Sequence, residues 1–397
     1  MSTSKFAVLS IALLTLSLPL YAAKADVGRA NIPPDSIYED GATNTTMESL
    51  GQLLFFDRSL SKTGNQSCAT CHDPANGFAD VRDNAAARAV SVGDDGHSFG
   101  TRNTPSITYA SFGPPFALDG EGYLGGFFMD GRARDLAAQA IEPFVNPIEM
   151  ALPDHESLLD LVSQNPTYKL LLTTILGEHF ANDRTKLLAT IAQAIVAFEK
   201  SPFFSSFDSK YDRYLAGEIE LTALEERGRS LFFSQLANCS QCHLRNTATV
   251  NGNETFTNYR YHNIGIPSNE QVAAITATPR ALPDAGLFNN PIVDEQTARG
   301  KFKVPSLRNV AVTAPYMHNG VFRDLQTTVH YYNQFIVKNL NTRTNPETGK
   351  PWREPETPDN ISLDILKQGQ PMDQQRIEAI VAFLKTLTDK KYEALLQ

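Results

Sequence analysis

"QSCATCHDP" (residues 66–74) and "NCSQCHLRN" (238–246) contain all four cysteines of the 397-residue chain, arranged twice as Cys-x-x-Cys-His. Three ordinary uses of such thiols compete. Two disulfides would suit an exported chain. A zinc site normally brings its two Cys pairs within about 15–20 residues, whereas most of a domain separates Cys71 from Cys239. A redox-active dithiol of thioredoxin type does not need a histidine next in line. With 8 histidines in 397 residues, His72 and His243 would both fall there by chance only about once in 2,500 trials. Covalent haem attachment is the chemistry that demands this order: two thiols add across the haem vinyl groups, and the adjacent imidazole reaches the iron. The expectation is two c-type haems, one on Cys68, Cys71 and His72, the other on Cys239, Cys242 and His243.

The N-terminus fits an oxidising destination. Lys5 precedes the apolar run "FAVLSIALLTLSLPLY" and then "AAKA", the order of a secretory signal peptide, with cleavage expected after Ala25. Ser10, Thr15, Ser17 and Pro19 interrupt a run already short for a membrane span. The remainder is long enough for two domains of ordinary size. A net charge of −9 without a basic block argues against nucleic acid and anionic membranes as partners.

The chain also repeats around its two motifs. "GQLLFFDRSL" (51–60) precedes the first and "GRSLFFSQLA" (228–237) the second. Each half closes on a helical pattern, "IAQAIVAFEK" (191–200) and "IEAIVAFLKT" (377–386), and "RNTPS" (102–106) is echoed in inverted order by "VPSLRN" (304–309). Ile377, Ile380, Val381 and Leu384 recur at the steps of one helix face. This describes a duplicated unit, and hence a mainly α fold of two cytochrome-c-like domains meeting near 199–210, where Pro202 breaks the pattern. Gly- and Pro-rich stretches (111–126 and 341–360) read as loops, the second as an exposed polar insertion, and no strand pattern is strong.

Over nearly all of the mature chain the sequence resembles the bacterial di-haem cytochrome c peroxidases and their relatives of the MauG type. The resemblance rests on "LGQLLFFDRSLS", Cys68 to His72, "RNTPS", "MDGRARDL", "NPIEM" and "FKVPSLRNVAVTAPYMHNGVFRDL" (302–325). It implies a signal peptide (1–25), a peroxidatic haem domain (26–205) and an electron-transfer haem domain (206–397). It further implies a periplasmic enzyme that uses hydrogen peroxide to form high-valent haem iron and oxidise a partner. Glu149 matches the family's distal acid and Gln139 its distal amide; a partly buried carboxylate can move a proton between the two peroxide oxygens. Asn103, Thr313 and Pro315 match a calcium site of one side-chain and two backbone oxygens, ligands that suit a hard cation. The partner would be a protein electron donor or a protein substrate, with a homodimer left open.

The sixth ligand of the second haem divides the family, methionine in the peroxidases and tyrosine in the MauG type. Here the matching position is Tyr332, and Leu325, Val329, Tyr332 and Ile336 share one helix face. His330, about 200° away around the helix, is the alternative. A phenolate favours oxidised iron where a thioether favours reduced iron, which leans toward MauG-like oxidation of a protein. The alternatives are a cytochrome c peroxidase fed by a small cytochrome or cupredoxin, and an electron carrier without peroxide chemistry. His97 lies near a displaceable ligand of some relatives but at a different spacing, and an exposed loop residue is the simpler reading. Met129 stands where relatives carry an inter-haem tryptophan, and the chain's only tryptophan is Trp352. A thioether packs well between cofactors but relays charge poorly, leaving Tyr123 as the nearby substitute.

Overall fold

The computed structural model describes residues 46–244, 253–276, 283–337 and 344–396. The expected signal peptide lies outside them. Among the described residues the first half forms α1 (Thr46–Phe56), α2 (Cys68–Cys71), β1 (Ala117–Asp119), β2 (Gly122–Leu124), α3 (Leu136–Val145), α4 (His155–Gln164), α5 (Pro166–Leu176) and α6 (Arg184–Glu199). The second forms α7 (Lys210–Leu215), α8 (Ala223–Phe232), β3 (Tyr261–His262), α9 (Glu270–Ile275), β4 (Phe302–Lys303), α10 (Leu325–Asn333), β5 (Thr344–Asn345), β6 (Lys350–Pro351), α11 (Leu363–Leu366) and α12 (Gln374–Lys385). The strands make three antiparallel two-stranded ribbons, β1–β2, β3–β4 and β5–β6. The fold is mainly helical, with long loops. No described helix is long and apolar enough to cross a membrane.

Helix starts follow local chemistry. Asp135, Asp183, Asp324 and Asp373 each accept a hydrogen bond from a backbone N–H of the first turn of α3, α6, α10 and α12, satisfying donors that no intrahelical carbonyl can reach. The apolar faces then collapse into two cores. One gathers Leu50, Leu54, Phe144, Leu158, Ile191 and Ile195; the other gathers Phe232, Phe322, Tyr331, Ile377, Ile380 and Phe383. In each, the helix before a haem motif crosses the last helix of that half, α1 on α6 and α8 on α12.

The duplication extends further than the sequence reading had it. Tyr109 and Asn309 both adopt left-handed backbone (φ 59° and 61°) and both cap a one-turn 3₁₀ helix, at Ala110–Phe112 and Val310–Val312. Pro105 and Pro305 therefore fall in the same register, so the Pro-Ser pairs of "RNTPS" and "VPSLRN" are counterparts while their Arg-Asn pairs lie on opposite sides of them. "FFMDGRARDL" and "YMHNGVFRDL" also correspond: the bridges Phe127–Ala133 and Tyr316–Phe322 precede the matching helices α3 and α10. The stretch read as an exposed insertion needs correction at Trp352, Glu356 and Thr357, the last two turned onto the cavity wall. The β5–β6 ribbon is mostly exposed, but Trp352 turns back into the second core against Phe322 and Tyr331, because an indole gains more from burial than the loop's polarity opposes.

Candidate haem cavity

Each Cys-x-x-Cys-His motif is a single helical turn. The N–H of His72 donates to the carbonyl of Cys68 at 2.9 Å, and that of His243 to Cys239 at 3.0 Å. The histidine rings are then held alike. Nδ1 of His72 lies 3.3 Å from the carbonyl of Phe78, and Nδ1 of His243 lies 3.1 Å from that of Phe256. Both phenylalanines are in the left-handed region (φ 59° and 55°), a conformation bulky residues rarely adopt, and it is this that aims their carbonyls at the rings. A carbonyl only accepts, so Nδ1 carries the proton and Nε2 keeps its lone pair for a metal. Burial pushes both imidazoles down, His243 to about 4, so both are neutral.

The four cysteines are free. Burial pushes the thiols of Cys68, Cys71 and Cys239 up to about 12 and that of Cys242 to about 11. That opposes a redox dithiol, which needs a depressed thiol pKa. Among the described residues no group of three or more His, Cys, Asp and Glu side chains is placed to hold a metal, so the two knuckles do not converge on a zinc site. Neutral thiols beside a buried, correctly tautomeric imidazole fit a c-type haem.

Both motifs open into one cavity of about 1050 Å³ between the halves, larger than the roughly 300–1,000 Å³ of an ordinary ligand pocket. Every residue singled out above as a site residue lines it: Glu149 and Gln139, the two haem motifs, Tyr332, Asn103, Thr313, Pro315 and Met129. Leu325, Val329, Tyr332 and Ile336 line it together, as their shared face requires. Burial pushes the phenol of Tyr332 up, and the nearby Cys242 and Cys239 add to the shift. His330 is not on the wall; its ring tilts against Trp352. His97 is exposed in a turn built on Asp95. Tyr123 is also away from the wall, stacked on Phe116 at 5.5 Å, which leaves it unsuited to replace an inter-haem relay.

At the His72 end, Gln139 and Glu149 come from α3 and the turn after it. Pro143, inside α3, lacks the N–H that would bond to the carbonyl of Gln139, loosening the helix beside the cavity. The chain then folds back, with Met150 donating to Pro143 and Leu152 to Phe144, which brings Glu149 to the wall. Burial pushes its carboxyl up, while the Arg132 guanidinium and Asn146 draw it down. A carboxyl raised by burial and tempered by a nearby guanidinium is suited to both taking and giving a proton.

The three residues matched to a calcium site each keep an oxygen uncommitted among the described residues. The amide nitrogen of Asn103 donates to Ala89 at 3.0 Å, leaving its oxygen for another partner. The carbonyls of Thr313 and Pro315 accept no hydrogen bond among the described residues.

Several wall residues escaped the sequence reading. Arg102 joins the halves, with two hydrogen bonds to Asp284 (2.6 and 2.8 Å) and one to Asp130 (2.7 Å). His318 stacks on Phe302 at 3.9 Å and meets Glu356 at 3.3 Å. Glu199 is 6% exposed, its Oε2 has no hydrogen-bond partner among the described residues, and burial pushes it up to about 8. A signal for Glu199 was present: the twin sequences "IVAFEK" and "IVAFLK" put it where the second half has Leu384, on the core face.

Comparison with known proteins agrees with this architecture. The family of di-haem cytochrome c peroxidases matches residues 45–220. The methylamine utilization protein MauG of Paracoccus denitrificans is 46% identical over 352 residues, covering 88% of this chain and 90% of MauG. Cytochrome c551 peroxidase of Nitrosomonas europaea is 30% identical, covering 96% of this chain and 91% of its own. The crystal structure of the diheme peroxidase BthA from Burkholderia thailandensis superposes with a TM-score of 0.76 at 30% identity, covering 90% of this chain and 89% of that one. The chain belongs to the di-haem cytochrome c peroxidase and MauG family, oxidoreductases acting on hydrogen peroxide.

Proposed function

We infer that this chain is an exported, periplasmic di-haem peroxidase of the MauG kind, which uses hydrogen peroxide to oxidise a protein partner. The observation that carries the reading is Tyr332, on the cavity wall beside Cys239 and Cys242. A phenolate ligand favours oxidised iron, so a haem held by His243 and Tyr332 stores oxidising equivalents better than electrons. The 46% identity to MauG points the same way.

When bound, the two haems would supply the redox chemistry. The protein's residues bind and direct. Cys68 and Cys71 would tether one haem and His72 would hold its iron through Nε2; Cys239, Cys242 and His243 would do the same for the other. Gln139 orients the peroxide with its amide. Glu149 takes a proton from one peroxide oxygen and returns it to the other, so that peroxide, two electrons and two protons leave as two waters. Asn103, with its side-chain oxygen, and Thr313 and Pro315, with their carbonyls, would hold one calcium ion. A separate apolar core in each half supports a division into a peroxidatic domain (26–205) and an electron-transfer domain (206–397).

A second reading, a cytochrome c peroxidase drawing electrons from a small donor, has one observation in its favour. Met372 also lines the cavity, from the second core, and a thioether ligand there would raise the potential. Tyr332→Phe separates the two readings. Under the first it opens the sixth position of the His243 haem, changing its absorption spectrum, and Tyr332→Met raises its potential. If both variants keep the parent spectrum and potential, Tyr332 is not the ligand. Mass spectrometry of the denatured protein should show two haems, and one after Cys239 and Cys242 are both changed to Ala.

A further inference from the structure

Trp352 is the chain's only tryptophan, and it ends a line of aromatic rings that begins on the cavity wall. Tyr332 lines the cavity. Its neighbour Tyr331 points the other way along α10, with ring centroids 6.4 Å apart and planes at 77°. Tyr331 meets Trp352 edge to face, at 5.0 Å and 88°. Tyr331 is 1% exposed and its hydroxyl donates to the carbonyl of Gly265, so its ring reaches the surface only through a neighbour. Trp352, half-buried at the foot of the β5–β6 ribbon, is that neighbour.

Packing alone is a poor reason for this indole. Its Nε1 is buried and has no hydrogen-bond partner among the described residues, and a buried donor left unpaired costs about 1–3 kcal/mol. A phenylalanine would offer an aromatic face to Tyr331 and Phe322 without that cost. What indole has and benzene lacks is the ability to lose one electron readily, and phenol is next among side chains.

We propose that Trp352 is the exit residue through which one-electron oxidation passes from the His243 half to a docked redox protein. This rests on the reading above, that a haem lies between His243 and Tyr332, and deepens it by naming where the partner must sit: over the foot of the β5–β6 ribbon. Hydrogen peroxide is the oxidant, taking two electrons and two protons to become two waters. Those electrons come from the partner one at a time. In each passage an electron leaves the indole of Trp352 toward Tyr331 and Tyr332, and the indole radical cation is refilled by one electron from the partner. No bond is made or broken at Trp352. The chain's net charge of −9 favours a partner with a basic surface.

The test uses the holoprotein with two reductants, a basic ferrocytochrome c as a bulky protein probe and ferrocyanide as a small one. After mixing with peroxide, Trp352→Phe should oxidise ferrocytochrome c at least tenfold more slowly than the parent, with ferrocyanide oxidation and the resting spectrum unchanged. Trp352→Tyr should recover part of the rate. Excess peroxide without a reductant should add oxygen to the Trp352 peptide by mass spectrometry, and the Cys239, Cys242 double alanine variant should not show it. An unchanged ferrocytochrome c rate in Trp352→Phe, or an unmodified Trp352 in the peroxide-treated parent, overturns the proposal. Failure of the underlying reading is distinct, because it appears in the parent as haems that ignore peroxide or as a spectrum insensitive to Tyr332→Phe.

Discussion

Gly228 of α8 lies so close to Ala379 of α12 that a Cβ on the glycine would stand 2.6 Å from the Ala379 carbonyl carbon and 2.9 Å from Cβ of Phe383. The first half repeats the relationship: a Cβ on Gly51 would stand 2.5 Å from the carbonyl carbon of Ala194 and 2.9 Å from Cβ of Phe198. Each half is thus clamped by a helix crossing that only hydrogen at the α-carbon permits.

The first prediction is about that crossing. In an open helix, Gly→Ala would stabilise by about 1 kcal/mol. Here overpacking costs about 1–3 kcal/mol and reverses the sign. Gly228→Ala and Gly51→Ala should each lower the midpoint of chemical denaturation. A variant as stable as the parent would show that the backbones do not approach at that glycine.

Glu149→Gln keeps the size of the side chain and removes the carboxylate, a role worth about 10²–10⁴ in rate. Single-turnover mixing with peroxide should slow by a factor in that range. Burial raises the Glu149 carboxyl, with Arg132 opposing, and only its ionised form can take the first proton. In the parent the rate should therefore fall as pH drops through that raised value, and the variant should lose the step. A parent-like rate in Glu149→Gln excludes it as the acid–base group.

Glu199 should imprint a pH dependence on stability. Its carboxyl is pushed from 4.5 in the unfolded chain to about 8 in the fold. Between these values the folded protein holds a proton that the unfolded chain has released, so stability falls as pH rises, by up to about 1.4 kcal/mol per pH unit. Below 4.5 and above 8 the contribution is flat. Glu199→Gln, neutral throughout, should melt at a more nearly constant temperature from pH 5 to pH 9, about the span of this shift. Equal slopes for variant and parent would mean that Glu199 is ionised in the fold.

Met129 lines the cavity and its carbonyl accepts from the N–H of Lys303 at 2.9 Å, holding the segment against β4. A thioether between two cofactors should pass charge less readily than an indole, and peroxide converts it to a sulfoxide. Met129→Trp should speed electron exchange between the haems, followed by stopped-flow absorbance after one haem is reduced. No acceleration would mean that this position does not control the exchange.

The sequence by itself determined the duplicated helical fold, the two haem motifs and the helix face that carries Tyr332, because each rests on local spacing. Cys-x-x-Cys-His is one turn of chain, Leu325 to Ile336 is one face, and "IVAF" at the end of both halves is one packing solution used twice. It also marked Met129 as a departure from relatives and Trp352 as the single tryptophan, since both are visible as single letters. Only the tertiary structure decided where Trp352 goes, because burial of an indole depends on an aromatic cluster that Phe322 and Tyr331 assemble from separate segments. The same holds for the left-handed carbonyls of Phe78 and Phe256 that set the imidazole tautomers, and for Arg102 reaching Asp284 across the two halves. A backbone turned against its side chain's preference, and a charge paired with a residue 182 positions away, leave no periodic trace. Both exist only because the two cores close around one cavity.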